Sequence, residues 1–155
     1  MEETTIKPVY NVYMAGPLFT LAERMHNKRL AQLLESLDSC LHCVLPQERG
    51  AQFYPDLKAV VADCFEQIDR CDFAIACADG PDSDSGTATE IGYAYARGKP
   101  VIVYRTDFRG SEVDGVNAML RYGCTAFINA PAYEISLEAL AEKLIYAIKS
   151  LPCYA

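Results

Sequence analysis

The amino-acid sequence predicts an α/β fold, a three-layer sandwich in which helices cover both faces of a five-stranded, mostly parallel sheet. Short apolar runs rich in β-branched and aromatic residues alternate along the chain with longer segments of helical period, which is the pattern of consecutive βαβ units. The length of 155 residues, with 51% hydrophobic and 23% charged residues, suits one domain with an ordinary buried core. We therefore expect residues 1–155 to form a single domain.

Five strands are expected, each ended by polar or turn-forming residues. They cover residues 10–15, 42–45, 72–76, 100–104 and 126–129. Five is an ordinary number of strands for one sheet. A parallel sheet of this size with helices on both faces is the arrangement of flavodoxin-like and Rossmann-like domains.

Four helices are expected where apolar residues recur at spacings of three and four. They cover residues 21–37, 57–68, 87–97 and 137–151. Ser136 is the expected N-cap of the last of them. The polar stretches between these elements are expected to be loops, where function usually lies. The longest loops cover residues 48–55, 79–85 and 106–114.

The charge of the chain narrows the choice of partners. A net charge of −7 repels phosphate backbones and anionic membranes, so we expect a small-molecule substrate and neither a nucleic-acid polymer nor a membrane. The sequence shows no basic and apolar leader and no apolar run of about 18 residues. A cytoplasmic location is therefore expected.

The seven cysteines are an odd number spread over predicted helices and strands, which suits free thiols in a reducing compartment. Cys40 and Cys43 have the C-x-x-C spacing of a zinc site, but no second ligand pair accompanies them, and His26 lies in a polar helical stretch. We expect small buried residues there and no metal site.

The segment after the first predicted strand is the first candidate for a ligand site, because ligands bind outside the carboxyl ends of parallel strands. It reads Ala15-Gly16-Pro17-Leu18-Phe19. Gly16 allows the backbone to approach a ligand closely. Neither G-x-G-x-x-G nor G-K-[ST] is present, so a dinucleotide or ATP site is disfavoured.

The segment after the third predicted strand, residues 79–90, carries four acids immediately before a helix. They are Asp79, Asp82, Asp84 and Glu90. Gly86 can turn the chain, and Ser85 or Thr87 can cap the helix. Glu90 would then lie in the first helical turn, where the helix dipole stabilises a carboxylate.

Two interpretations of Glu90 follow from these residues. It could form an ordinary capping box with Thr87, since T-x-x-E is the pattern of that motif. It could instead be a nucleophile, because the helix that follows is rich in apolar and small residues and would leave the carboxylate only partly solvated. Such a group suits attack on an anomeric carbon when other acids assist the leaving group.

Two nearby acids are candidates for that assistance. Asp72 opens the third predicted strand, and Asp84 lies six residues before Glu90. Each has a plainer alternative: Asp72 could end the preceding helix, and Asp84 could be a solvated loop residue.

Four segments together resemble the nucleoside 2-deoxyribosyltransferases. They read NVYMAGPLF at 11–19, CD at 71–72, DSGTATEIGYA at 84–94 and VNAM at 116–119. The resemblance extends over about residues 11–128, and the order and spacing of the segments also fit. The Gly-Thr-x-x-Glu part alone also resembles the phosphoribohydrolases that release cytokinins, but several coincident segments favour the first family.

The resemblance implies a role for each matching residue. Glu90 would be the nucleophile, and Tyr13 would hold its carboxylate by a hydrogen bond. Asp72 and Asp84 would face the nucleobase and supply or share the proton that the departing base needs.

The same resemblance implies a set of substrate-binding residues. They are Gly16, Phe19, Gln47, Gly86, Asn117 and Met119. Asn117 would reach a neighbouring subunit's site and bind the sugar 5-hydroxyl, with Met119 beside it, so a homo-oligomer is expected: a dimer, tetramer or hexamer. A plain N-cap is the alternative for Asn117. Gln52 competes with Gln47 as the glutamine that contacts the base.

The activity implied is exchange of the nucleobase of a 2-deoxyribonucleoside by double displacement with retention, through a deoxyribosyl ester of Glu90. No metal or organic cofactor is required. The alternatives are a deoxynucleoside 5-monophosphate N-glycosidase, for which Ser83 and Ser85 could bind the phosphate, and a non-enzymatic receiver or flavin-binding module of the same architecture. Some family members place a C-terminal aromatic residue near the site, whereas this chain ends Cys153-Tyr154-Ala155.

Overall fold

The computed structural model describes residues 7–110 and 113–154. Its five strands form one sheet, every pairing is parallel, and the spatial order is β2-β1-β3-β4-β5. In chain order the strands are β1 Tyr10–Ala15, β2 Leu41–Val44, β3 Phe73–Cys77, β4 Val101–Arg105 and β5 Ala126–Asn129. The predicted α/β fold is confirmed, and the predicted strand boundaries differ from these by no more than one residue.

Six α-helices connect or follow the strands within the described residues. They are α1 Leu21–Leu37, α2 Pro46–Arg49, α3 Leu57–Arg70, α4 Ser85–Ala96, α5 Ala118–Tyr122 and α6 Leu137–Lys149. The predicted loop at 48–55 is in part wrong, because it contains the end of α2 and a 3₁₀ turn at Gly50–Gln52. Helices of four or five residues are too short to show a helical period, so the period predicted neither α2 nor α5. The alternative that Asn117 is an N-cap is confirmed, since Asn117 caps α5.

The helices divide between the two faces of the sheet. Val12 and Met14 of β1 belong to a buried cluster with residues of α1 and α6. Tyr13 and Ala15 point to the opposite face, where residues of α3 and α4 cover them. Because side chains alternate along a strand, β1 sends Tyr13 towards α3 and α4.

Helices α3 and α4 are held together by three side-chain contacts. The ring centroids of Phe65 and Tyr93 lie 4.5 Å apart. Asp69 accepts a hydrogen bond from the Tyr93 hydroxyl at 3.0 Å and one from Arg97 Nε at 2.6 Å. These contacts fix the two helices over the same face of the sheet.

The loops at the carboxyl ends of β3 and β4 are joined by buried polar contacts. Arg105, only 1% exposed, donates to the carbonyl oxygens of Ala78, Gly80 and Arg109. Asp79 accepts from the Thr106 backbone N–H at 2.6 Å and from its hydroxyl at 2.5 Å. The two loops therefore form one rigid edge, which the sequence did not reveal.

The last described residue, Tyr154, lies at the amino end of the sheet. Its ring centroid is 4.5 Å from that of Tyr10, the first residue of β1, and its hydroxyl bonds to Asp38. Within one chain, this aromatic residue is thus far from the carboxyl ends of the strands.

In the described part of the chain, no helix has the length and apolar character needed to cross a bilayer. The same residues contain no cluster of three or more potential metal ligands, and Cys40 and Cys43 are free thiols.

Candidate active site

The centre of the site is a hydrogen bond between a strand and a helix. The Tyr13 hydroxyl of β1 donates to Glu90 Oε1 of α4 at 2.7 Å. Tyr13 is 1% exposed, and Glu90 is partly buried. The structure therefore brings together the two residues that the sequence singled out as nucleophile and supporting phenol.

The surroundings of Glu90 shift its titration towards neutrality. Burial raises the pKa of Glu90 to about 7, the hydrogen bond from Tyr13 opposes that rise, and the Asp84 carboxylate adds to it. Burial and the neighbouring Glu90 charge also raise the pKa of Tyr13, so the phenol keeps its proton. A carboxylate with little solvation and one fixed donor can act as a nucleophile near neutral pH.

Asp84 caps the helix that carries Glu90. Its Oδ2 accepts hydrogen bonds from the Thr87 backbone N–H at 2.8 Å and from the Thr87 hydroxyl at 3.0 Å. The alternative of a solvated loop acid is therefore excluded. Gly86 gives this carboxylate room, since a Cβ at residue 86 would lie 3.1 Å from Asp84 Oδ2.

Two predictions about the start of α4 were wrong. The helix begins at Ser85, and neither Ser85 nor Thr87 is its N-cap. Glu90 lies in the second turn and bonds to Tyr13, so it forms no capping box with Thr87. Thr20 and Glu23 at the start of α1 do form a capping box.

Asp72 lies near the amino end of the sheet. It immediately precedes β3, and its Oδ2 accepts a hydrogen bond from the Asn11 backbone N–H at 2.7 Å. Burial raises the pKa of the Cys153 thiol near the end of the chain, and the Asp72 charge adds to that rise. The side chains that shift the pKa of Glu90 are Tyr13 and Asp84. Asp72 is not among them, so the structure does not bring Asp72 to Glu90.

The segment after β1 places its residues differently. Gly16 packs closely on β3, where an added Cβ would lie 3.2 Å from the Cys77 Cβ. Phe19 is 76% exposed at the start of α1. A side chain this exposed is available to a ligand or to a second subunit.

Gln47 is buried, and both ends of its amide are engaged with α1. Its Oε1 accepts from Asn27 Nδ2 at 3.1 Å, and its Nε2 donates to the Arg24 carbonyl at 2.9 Å. Gln47 thus anchors α2, the segment that follows β2, to α1. Gln52 is exposed in the 3₁₀ turn.

Asn117 and Met119 lie on another surface of the chain. Asn117 caps α5, with its side chain accepting from the Met119 backbone N–H at 2.9 Å. Both residues line a cavity of about 750 Å³ between α4 and α5, whose lining does not include Glu90. Within a single chain, the structure does not bring these two residues to the carboxylate.

Sequence reasoning missed Cys64 of α3. It packs, partly buried, against the cluster that contains Tyr13, and burial together with the Glu90 charge raises the pKa of its thiol. A lone cysteine in a helix carries no recognisable motif, so only the packing of α3 on β1 reveals it.

Another cavity, of about 630 Å³, opens on the α1 side of the sheet at the carboxyl ends of β3 and β4. It is lined by residues that include His26, whose Nε2 lies 2.7 Å from the Tyr104 hydroxyl. Neither Tyr13 nor Glu90 lines this cavity, because that pair lies on the opposite face of the sheet.

Comparison with known proteins assigns the chain to a family. The model of the family "Nucleoside 2-deoxyribosyltransferase" matches residues 12–125, which include Tyr13, Asp84, Glu90 and Asn117. One curated relative, an uncharacterized protein of Schizosaccharomyces pombe, is 50% identical over 46 residues. That match covers 27% of this chain and 22% of the relative.

Solved structures share the fold over most of the chain. A conserved protein from Enterococcus faecalis V583 is 28% identical with a TM-score of 0.74, covering 90% of this chain and 99% of that one. The 2-deoxyribosyltransferase from Bacillus psychrosaccharolyticus is 25% identical with a TM-score of 0.61, covering 76% and 84%. The Clostridium botulinum CMP N-glycosidase BcmB, 19% identical with a TM-score of 0.62, shares the fold over 87% and 98%.

Proposed function

The chain belongs to the nucleoside 2-deoxyribosyltransferase family, and from that premise we propose that it exchanges the nucleobase of 2-deoxyribonucleosides with Glu90 as the nucleophile. The observation that carries the proposal is the partly buried hydrogen bond between Tyr13 and Glu90. The Glu90 carboxylate is weakly solvated, its orientation is fixed by the Tyr13 hydroxyl, and its pKa is about 7. These properties suit attack on an anomeric carbon.

The proposed reaction has two displacements. Tyr13 occupies Glu90 Oε1, so we assign the attack to Oε2. Oε2 bonds to the anomeric carbon while the bond from that carbon to the base nitrogen breaks and its electrons leave with the base. The departing base takes up a proton from water, and the second base gives one N–H proton up to water when it attacks, so the protons balance. A second base then attacks the deoxyribosyl ester and releases Glu90, which restores the original configuration at the anomeric carbon.

The absence of a 2-hydroxyl makes the oxocarbenium-like transition state easier to reach, which favours deoxyribose over ribose. Water can also attack the ester. We therefore expect slow hydrolysis of the nucleoside when no acceptor base is present.

Asp84 is assigned to substrate binding at the same centre. Its Oδ2 holds Thr87, which leaves Oδ1 to accept a hydrogen bond from the base or the sugar. We leave Asp72 out of this mechanism, because its carboxylate holds the backbone of β1 near the amino end of the sheet.

We also propose that a second copy of the chain completes the site through Asn117 and Met119. Met119 is 79% exposed and Tyr122 is 70% exposed beside the cavity between α4 and α5. Exposed large apolar side chains that share one concave surface are typical of a protein interface. In the assembly, Asn117 would bind the sugar 5-hydroxyl in the neighbour's site.

Hydrolysis of a deoxynucleoside 5-monophosphate is the second candidate. Ser83 and Ser85 line the same cavity and could bind a phosphate. Asp82 lines it as well, and none of the described residues that line it is an arginine or a lysine. A dianion would meet repulsion without a compensating cation, which favours the uncharged nucleoside.

A chromatographic assay separates these activities. Deoxyadenosine with cytosine, and separately thymidine with adenine, should yield the exchanged nucleosides with the wild-type protein and none with Glu90→Gln. Free base alone, or reaction only with the 5-monophosphate, would instead support the N-glycosidase.

A further inference from the structure

The cavity of about 630 Å³ on the α1 side of the sheet has no part in the mechanism proposed above. We call it the α1 cavity; its lining includes Glu23, His26, Asp79 and Phe108. It lies where the loops after β3 and β4 face the first turns of α1, and ligands of open parallel sheets bind at the carboxyl ends of the strands. Its volume is also ordinary for a small-molecule site. Both the place and the size of the cavity therefore suit a small ligand.

The walls of the α1 cavity are held in place by the protein itself. On the α1 side, Asn27 donates through Nδ2 to the Pro17 carbonyl at 3.0 Å and to Gln47 Oε1 at 3.1 Å. On the other side, both oxygens of the Asp79 carboxylate accept hydrogen bonds from Thr106. A preformed site loses less free energy to ordering when a ligand binds.

The wall formed by α1 has unused capacity for hydrogen bonds. Glu23, His26 and Asn27 all line the cavity, and their spacing of three and four residues puts them on one face of the helix. Glu23 bonds through Oε2, His26 through Nε2 and Asn27 through Nδ2. The other polar atom of each side chain, Oε1, Nδ1 and Oδ1 respectively, has no hydrogen-bond partner among the described residues. Two of these three atoms can only accept a hydrogen bond.

Phe108 gives the cavity a flat apolar wall. Its side chain is 65% exposed, and its ring meets that of Tyr133 edge to face, with centroids 5.3 Å apart and 79° between the planes. The contact with Tyr133 orients the Phe108 ring. An exposed aromatic ring that lines a cavity in a fixed orientation suits a planar ligand.

The charges around the α1 cavity disfavour an anion. Three acids line it, Glu23, Asp79 and Asp107. Arg109 carries the one permanent positive charge among the described lining residues, and its guanidinium is already bonded to Asp107. Burial lowers the pKa of His26, so its imidazole is neutral at pH 7. A neutral ligand with N–H groups therefore fits these walls better than a phosphate or a carboxylate.

We propose that the α1 cavity is a second ligand site, which binds a neutral aromatic heterocycle that carries an amino group. The ring stacks on Phe108, and the N–H groups donate to Glu23 Oε1 and Asn27 Oδ1. Nδ1 of His26 donates or accepts according to its tautomer, so it can pair with a ring nitrogen. The cavity lies on the opposite face of the sheet from the proposed nucleophile, so the inference does not depend on the proposed reaction.

The histidines of the chain allow a direct test, because there are only two and one of them lines the cavity. Adenine, a neutral amino heterocycle, should shift the imidazole Cε1–H NMR signal of His26 along a saturating curve. His42→Gln leaves a single histidine signal and so assigns it to His26. In the wild type, the signal of His42, whose side chain is 62% exposed outside the cavity, serves as the reference for any drift in pH.

Two ligands with the same ring system test the chemical class. Purine lacks the amino group and should bind at His26 at least about fivefold more weakly than adenine, since it forms fewer hydrogen bonds. Purine-6-carboxylate carries a negative charge in place of the amino group and should not shift the His26 signal at the same concentrations. If either binds as tightly as adenine, the proposed ligand class is wrong.

Substitution of Phe108 tests the position of the ligand. Phe108→Ala should weaken adenine binding at His26 about fivefold or more, because it removes the stacking surface. Tyr146→Ala is the matched control, since it removes an exposed ring from α6 that does not line the cavity. Melting temperatures establish that the variants are folded, and Phe108→Leu replaces Phe108→Ala if alanine prevents folding.

The same titration with Glu90→Gln separates this site from the proposed reaction. Adenine should shift the His26 signal of Glu90→Gln as it does in the wild type, whether or not the wild type exchanges bases. The inference is overturned if adenine produces no saturating shift at His26, or if the folded Phe108 variant binds adenine as tightly as the wild type.

Discussion

At the scale of single residues, Glu90 combines two properties that oppose each other. Burial makes the carboxylate a better nucleophile, but it also raises its pKa to about 7 and so lowers the fraction that is ionised at neutral pH. The hydrogen bond from Tyr13 partly offsets that rise and fixes one oxygen. The Tyr13 hydroxyl is therefore expected to set the pH range of activity.

Tyr13→Phe tests this balance. In the wild type, kcat/KM should rise with pH through a midpoint near 7 as Glu90 ionises in the free protein. Removing the hydroxyl takes away an interaction that lowers the Glu90 pKa, so the midpoint should move to higher pH and kcat should fall about tenfold. The measurement is a pH–rate profile, with Tyr146→Phe on the exposed surface as the control. An unchanged midpoint in Tyr13→Phe would contradict the role of the phenol.

The same carboxylate links stability to pH. The folded state binds the Glu90 proton more tightly than the unfolded chain does, because the pKa rises from 4.5 to about 7 on folding. The stabilisation from that proton is complete below about 4.5 and is lost as the pH rises through about 7. Urea titrations should show the free energy of unfolding of wild type falling across this window relative to Glu90→Gln. Parallel curves for the two proteins would show that Glu90 titrates normally.

The family resemblance grouped Tyr13, Asp84 and Glu90 as site candidates, and in the structure Tyr13 bonds to Glu90 while the Asp84 charge acts on the Glu90 pKa. It misplaced Asp72, whose role depends on which end of the sheet its side chain occupies. It also missed the buried Arg105, since its role arises from contacts between loops that are distant in the chain.

At the scale of elements, the N-terminus of α4 decides where Glu90 lies. The pattern of apolar residues predicted this helix, but its first residue depended on which polar side chain caps it, and Ser85 and Thr87 were the two predicted caps. The structure selects Asp84, which shifts the start to Ser85 and moves Glu90 into the second turn. Capping is a local competition that spacing alone does not resolve.

Two substitutions of Asp84 separate the effect of its N-cap on stability from the effect of its charge on the pKa of Glu90. Asparagine is as good an N-cap as aspartate, so Asp84→Asn should leave the melting temperature nearly unchanged while lowering the pH midpoint of activity, because the neighbouring charge raises the Glu90 pKa. Asp84→Ala removes the cap as well and should cost about 1 kcal/mol of stability. Thermal unfolding and pH–rate profiles of both variants measure the two effects. A large loss of stability in Asp84→Asn would show that the charge, rather than the cap, stabilises the helix.

At the scale of the whole molecule, the fold was predictable and the assembly was not. The alternation of strands and helices depends on local sequence patterns, so the sequence alone predicts the parallel sheet. The surface formed by α4 and α5 is built from residues of two separate segments, and only the folded chain shows that Tyr95 of α4 and Met119 of α5 share it.

A mixing experiment tests whether two copies share a site. Asn117→Ala and Glu90→Gln should each abolish or strongly reduce activity alone. In a mixed dimer, one site keeps Glu90 from one subunit and Asn117 from the other, so co-expressing the two variants should restore about a quarter of the wild-type activity. No recovery in mixed dimers, or full activity of Asn117→Ala, would contradict the shared site.

The central claim concerns a covalent bond to one oxygen of Glu90, and mass spectrometry of the trapped protein tests it most directly. The wild-type protein, quenched in acid while turning over a deoxynucleoside without acceptor base, should carry the added mass of one deoxyribosyl group on the peptide that contains Glu90. Glu90→Gln treated in the same way should carry none. A wild-type protein that releases base without any such adduct, or an adduct on a different residue, would contradict the assignment of Glu90 as the nucleophile.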